Sequence, residues 1–170
     1  SLMSFVNVRN CVKFYQLADE IEANMLKNHC SELISSYWND FTREDFINMP
    51  TPLLFSMFKA KTEFPLHTAI RIQREDVVFF YLIEFDSQLV NKVTEFDGFN
   101  DLPLDLALRS GQYSIAKTLI NHKANINAVN KNSLTLLHLA IERKDTNSAN
   151  FLMEEGASVN FATLNEKYTP

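Results

Sequence analysis

Glycine is nearly missing from this chain: there are three in 170 residues, and none before Gly98. Phosphate-cradling loops and dinucleotide fingerprints both need glycine where backbone approaches phosphate, so the first 97 residues hold neither. A turn-rich β fold is disfavoured for the same reason. Cysteine is equally sparse, with only Cys11 and Cys30. Two thiols make no disulfide framework and no zinc-ligand spacing, and they read as a reduced, intracellular protein, with a Cys11–Cys30 bridge as the alternative. No basic run of the kind that grips phosphates occurs, and the net charge is −5, which argues against nucleic acid as a partner. No apolar run is long enough to span a bilayer, and no signal peptide is visible. What is plentiful is core material: 46% hydrophobic residues, including fourteen phenylalanines.

Against this background one pattern returns. Phe64-Pro65-Leu66-His67-Thr68-Ala69-Ile70 comes back as Leu102-Pro103-Leu104-Asp105-Leu106-Ala107-Leu108, and again as Thr135-Leu136-Leu137-His138-Leu139-Ala140-Ile141. The central leucines at 66, 104 and 137 are 38 and 33 residues apart. The second unit continues with Gly111, Ile115-Ala116, Leu119-Ile120, Lys123-Ala124 and Asn127. The third continues with Leu152-Met153, Gly156-Ala157 and Asn160. The first has Val77-Val78 and Leu82, lacks the Gly-Ala ending, and is five residues longer.

A period near 33 with this turn and helix signature resembles the ankyrin repeat. The resemblance implies two antiparallel helices per unit. Proline opens the first helix, where no amide bond is lost. Leucine faces the neighbouring unit, and histidine bonds to turn backbone and staples adjacent units. Ala69, Ala107 and Ala140 let helices approach closely, while Gly111 and Gly156 fall where helices end in left-handed geometry. Gly98 falls at a loop tip. Val77–Ile83 has strand-like composition, but the repeat register makes it the second helix of the first unit, buried on nearly all sides. Units are expected at about 60–96, 97–129 and 130–162. Thr169-Pro170 reads as the opening of a fourth, starting in 163–170, and predicts a piece of a longer protein.

Residues 1–58 differ. Cys11, Phe14, Tyr15 and Ala18 form one helical stripe; Leu26, Cys30, Leu33 and Tyr37 form a second, widened by Ile34, Trp38 and Phe41. Thr42 and Asp45 resemble a capping box before a short third helix that Pro50 ends. Thr51-Pro52 opens a fourth, with Thr51 as its cap. Leu17-Ala18, Cys30, Trp38, Phe41, Asp45-Phe46, Met49-Pro50 and Leu53-Leu54 resemble the BACK-type helices that follow a BTB domain. The expected fold is all-α: a BACK-like helical region over 1–58, capping the array, then an ankyrin solenoid over 59–170 in one continuous helical body.

The pairing of these two elements over the full chain resembles the BTB, ankyrin-repeat and FYVE-domain proteins of early endosomes. That resemblance implies a non-catalytic interaction scaffold within an endosomal Rab GTPase effector of endocytic and macropinocytic trafficking. It implies a cytoplasmic location, reaching the early endosome membrane through domains outside these residues. It also implies a parent that oligomerises through its BTB domain, and protein partners for this segment, with no cofactor, nucleic acid or direct membrane contact. A substrate adaptor of a cullin ubiquitin ligase and a plain structural spacer remain alternatives.

No reacting constellation emerges. His138 and Glu142 stand four apart, yet His138 belongs to the repeat motif; His29, His67 and His122 have no third ligand. No nucleophile elbow surrounds Ser110. Repeat arrays bind on an extended concave face. Carried over by position, the family's contact positions are Lys61, Glu63, Arg71 and Ile72, then Phe99, Asp101, Arg109 and Ser110, then Lys131, Asn132, Leu134, Glu142 and Arg143. Phe99, beside a glycine at a loop tip, is read as an exposed anchor, with folding back onto Phe96 as the alternative. Phe99→Ala is therefore expected to weaken partner binding while leaving the melting temperature almost unchanged; a large fall in melting temperature would make the ring core.

Overall fold

The computed structural model describes residues 1–85, 89–96 and 99–159, with Phe96, Phe99 and Asn100 described as backbone only. Gly98, Asn160 and Thr169-Pro170 lie outside the described residues. The fold is all-α with one small hairpin. Ten α-helices are described: α1 Cys11–Glu20, α2 Asn24–Ser36, α3 Arg43–Asn48, α4 Thr51–Lys61, α5 Pro65–Arg71, α6 Glu75–Glu84, α7 Pro103–Arg109, α8 Tyr113–Asn121, α9 Leu136–Glu142 and α10 Thr146–Glu154, with short 3-10 helices at Leu2–Phe5 and Trp38–Asp40. Between α6 and α7, β1 (Thr94–Phe96) pairs antiparallel with β2 (Phe99–Asp101), Thr94 opposite Asp101 and Phe96 opposite Phe99. The chain divides into two compact units, Ser1–Thr68 and Ala69–Pro170, a division that falls inside α5.

One turn is built again and again. After α5, α7 and α9 a residue with positive φ (Gln73 64°, Gly111 68°, Lys144 58°) reverses the chain. The next amide donates back to the carbonyl of a buried alanine: Arg74 to Ala69 (3.1 Å), Gln112 to Ala107 (2.9 Å), Asp145 to Ala140 (2.9 Å). This six-to-one bond satisfies a carbonyl the helix end would leave orphaned. The following helix starts at once, so the two helices lie side by side, and alanine is the side chain that fits between them: all three are fully buried. The same device ends α8, with Lys123 (70°) and Ala124 donating to Leu119, and α10, with Gly156 (92°) and Ala157 donating to Leu152. It also ends α1, where Glu22 (56°) precedes Ala23, which donates to buried Ala18 at 2.8 Å. The N-terminal pair α1–α2 thus turns in the manner of the repeat hairpins, although no motif marks it.

In the first unit α1 packs on α2 through Cys11, Tyr15, Ala18, Leu26, Cys30 and Ile34. Both cysteines are free and buried, and burial pushes both thiols up, so they sit as inert core groups. Ile34 fills the centre of the α2 stripe, whereas Tyr37, expected within it, is exposed because α2 ends at Ser36. Asp45 accepts from the Thr42 amide (2.7 Å) and hydroxyl (2.9 Å), closing the capping box of α3. The cap of α4 falls on Pro50, one residue before Thr51. Trp38 lies 4.8 Å from Phe46 and 5.8 Å from Phe58, ring centre to ring centre, and ties α3 to α4.

In the second unit α6 packs on α8, α7 on α8 and α9 on α10. The seam is Val77, Val78, Leu104, Leu108, Leu119, Leu136 and Leu152, all buried; each leucine contributes about 1.5–3 kcal/mol relative to exposure. Val77–Ile83 is helical as the register requires, but not buried all round. Phe79, Phe80 and Ile83 are 44%, 39% and 63% exposed, because only the Val77, Val78, Tyr81 and Leu82 face meets the unit's core.

Loops are stapled by asparagine. Asn91 accepts from the Asn125 amide (2.7 Å) and donates to the Lys123 carbonyl (2.9 Å); Asn127 accepts from the Ser158 amide (2.9 Å). His138 bonds within its own unit: its Nδ1 meets the Thr135 hydroxyl at 2.8 Å and accepts from the Thr135 amide at 3.3 Å. It therefore locks its own turn and bonds turn backbone as expected; the unit that would follow it lies outside the described residues.

Non-glycine residues in left-handed geometry cost about 1–2 kcal/mol each, and nothing crowds Gly111. Lys144→Gly is therefore expected to stabilise the chain by up to ~1 kcal/mol and Gly111→Ala to destabilise it by about 1–2 kcal/mol, read by urea denaturation. A loss of stability in Lys144→Gly, or none in Gly111→Ala, would show that these turns are not as described.

Candidate protein-docking groove

The first helices and loop tips of the second unit enclose a groove of about 310 Å³. Leu102 and Leu136 form its buried floor, and Leu139 lies beside them. Val93, just before the hairpin, and Val129, in the loop before α9, form open walls at 46% and 43% exposure. Asp105, Asn130 and Lys131 complete it. Hydrogen bonds within the loop before α9 pin it in place. Asn130 Oδ1 accepts from the Asn132 (2.9 Å) and Leu134 (3.0 Å) amides, and the Asn130 amide donates to the Leu134 carbonyl at 2.9 Å. An isolated bridge joins Val129 and Thr135.

Beneath the groove runs a chain of charges. Arg109 pairs with Asp101 at 2.5 Å and, through Nε, with Asp105 at 3.3 Å. Asp105 also accepts from Arg143 Nη1 at 3.1 Å, which links the second and third repeats. Both acids are buried, Asp101 at 3% and Asp105 at 8% exposure, so their charges need these guanidinium partners. Asp105 occupies the place that His67 and His138 hold in the other repeats. In the third repeat that histidine bonds Thr135; in the second the matching residue is Leu102, which has no hydroxyl to offer. A histidine at 105 would lack that partner, and a carboxylate there is served by two arginines instead.

The residues carried over from the motif register are scattered by the structure. Lys131 lines the groove; Arg143 and Arg109 reach Asp105 at its edge. Asp101 is buried and committed to Arg109, not offered to a partner. Ile72 is also a correction: at 8% exposure it is core, because it follows α5 directly into the tight turn at Gln73. Arg71 closes α5, Ser110 caps α7 and Glu142 closes α9, all exposed; Asn132 is exposed in its turn and Leu134 is half-buried. Lys61 ends α4 and Glu63 follows it, both exposed in the first unit. Phe99 opens β2, and its side chain lies outside what the structure describes. The motif register misses Leu102, Val129 and Leu139 because apolar motif positions read as core; the departure from histidine at Asp105 is the legible signal.

Among the described residues no group of three or more histidine, cysteine or acidic side chains is placed to hold a metal ion. Among them, too, no helix is long and apolar enough to cross a membrane. His122 Nδ1 meets the Thr118 carbonyl at 2.9 Å and its ring stands edge-on to Phe79.

If the charge chain couples the repeats, Asp105→Ala costs about 1–3 kcal/mol by removing the buried acceptor that Arg109 and Arg143 share, while Arg143→Ala, on a half-exposed side chain, costs under ~1 kcal/mol. A double-mutant cycle in urea is expected to give a coupling of about 0.5 kcal/mol or more; zero coupling would reduce the pair to surface decoration.

The sequence profile of the ankyrin repeats, in three copies, matches residues 22–130 and 66–163, and so reaches back into the N-terminal unit. Rabankyrin-5 of Homo sapiens is 53% identical over 169 residues, 99% of this chain and 14% of that protein. Rabankyrin-5 of Mus musculus is 52% identical over the same shares. A probable 26S proteasome regulatory subunit p28 of Saccharomyces cerevisiae is 25% identical over 123 residues, 71% of this chain and 53% of that one. The chain thus spans about 14% of the length of its Rabankyrin-5 relatives. No solved structure matches it. With the profile covering most of its length and the paired helices, tight turns and motif positions all in register, the chain belongs to the ankyrin-repeat family.

Proposed function

We propose that this chain is a non-catalytic docking segment, and that the groove over α7 and α9 is where a protein partner sits. The observation that carries this is the groove itself: open apolar walls at Val93 and Val129 over a rigid floor, rimmed by polar side chains. Pre-formed, apolar and sparsely polar is the chemistry of a recognition site. The near-complete alignment with Rabankyrin-5, whose name joins Rab and ankyrin, supports a role within a Rab GTPase effector. In this reading the parent works in endocytic and macropinocytic trafficking at the early endosome. Its BTB-type, BACK-like and membrane-binding portions oligomerise and anchor it, and this segment recruits trafficking proteins.

The test is proximity labelling in cells from the parent protein, wild type against Val129→Arg, which fills the groove from an exposed position. Early-endosome trafficking proteins are expected with the wild type and depleted at least several-fold with the variant. Enrichment of cullin subunits instead would make the segment a ligase adaptor. Identical profiles for both proteins would leave the groove without a role and favour a spacer.

A further inference from the structure

The polar groups of the groove are unequally spent, and the imbalance has a sign. The one carboxylate among the described lining residues, Asp105, is occupied on both oxygens: Oδ2 faces Arg109 Nε at 3.3 Å and Oδ1 accepts from Arg143 at 3.1 Å. The Asn130 oxygen is likewise spent on its own turn. What stays open are donors. Lys131 is exposed, lines the groove and has no acidic partner among the described residues; the Asn130 side-chain amide nitrogen beside it has none either. Among the described lining side chains a ligand meets aliphatic walls, a positive charge and a free N–H, and no uncommitted acceptor.

We infer that the groove takes an extended segment of a partner protein in which a large aliphatic or aromatic side chain neighbours an aspartate or glutamate. The apolar side chain lies between Val93, Val129 and Leu139, and the carboxylate accepts from Lys131 and Asn130. The volume, about 310 Å³, is at the small end of ligand sites and suits one or two side chains. A basic segment is disfavoured twice: it would be repelled by Lys131, and Arg109 and Arg143 already satisfy the one acid among the described lining residues. This inference rests on the docking reading above and adds the chemistry of the occupant.

The test uses the chain as it stands and a displayed library of random 16-residue peptides as the probe. Selection is run against wild type, Lys131→Glu and Val129→Arg, each first checked for an unchanged thermal transition; both positions are exposed, so folding should be spared. Wild type is expected to enrich sequences with a hydrophobic residue next to Asp or Glu. Synthetic copies should bind Lys131→Glu and Val129→Arg about tenfold or more weakly, and binding to wild type should fall with salt. Three outcomes overturn the inference: enrichment of basic or uncharged sequences, equal binding to Lys131→Glu, or no enrichment at all. If one of these occurs while Val129→Arg still removes the cellular partners, the groove docks proteins but not of this chemistry. If Val129→Arg leaves those partners in place as well, the docking reading falls with it.

Discussion

The helix pairs of the described structure depend on one hydrogen bond pattern, in which an amide just past a helix end returns to a carbonyl five residues earlier. It appears after α1, α5, α7, α8, α9 and α10. The bond requires a left-handed residue at the bend, and after α1, α5, α7 and α9 it turns the chain so tightly that the next helix begins two residues past that bend. That closeness dictates the side chain between paired helices: Ala18, Ala69, Ala107 and Ala140 are each fully buried beside it. Glycine supplies the bend only at Gly111 and Gly156; Glu22, Gln73, Lys123 and Lys144 accept left-handed strain in its place. The near-absence of glycine that opens the sequence is therefore not a sign of few turns, but of turns held by packing on either side.

With the helix pairs fixed, the loops can be fixed to one another. Asn91 and Asn127 hold neighbouring loops by their amide side chains, and the Asp101–Arg109–Asp105–Arg143 chain crosses from one repeat to the next. These links place Val93, Leu102, Val129 and Leu139 around one space, with little left to reorganise when a partner arrives. Binding to such a site spends less on ordering than binding to loose loops. The charges beneath the groove are mutually satisfied, so they shape the site rather than select its occupant. Selection falls to Lys131 and Asn130 at the rim.

The repeats are legible because leucine, alanine and glycine recur where geometry admits few other residues, and the register they set makes Val77–Ile83 a helix despite its strand-like composition. What the register does not carry is burial. It puts Ile72 and Asp101 on a binding face; the first is pressed into core by the turn that follows, and the second is buried by its bond to Arg109. It also makes Val77–Ile83 buried on nearly all sides, since an unbroken apolar run offers no periodicity to show which side is free; Phe79, Phe80 and Ile83 are outside. The kinship between the α1–α2 turn and the repeat hairpins is hidden for the opposite reason: Glu22 stands where a glycine would have announced it. Asp105 is visible in the sequence as a departure from histidine, and only its partners 4 and 38 residues away give that departure a meaning.

Native-state hydrogen exchange of the Arg74, Gln112 and Asp145 amides tests the central claim most directly, because these donors make the returning bond to Ala69, Ala107 and Ala140. If the fold depends on these turns, the three amides exchange only through large cooperative openings, among the slowest in the chain and with free energies close to that of global unfolding. Fast exchange at these sites, by local opening while neighbouring helices stay protected, would show that the turns are ornaments on a fold held together elsewhere.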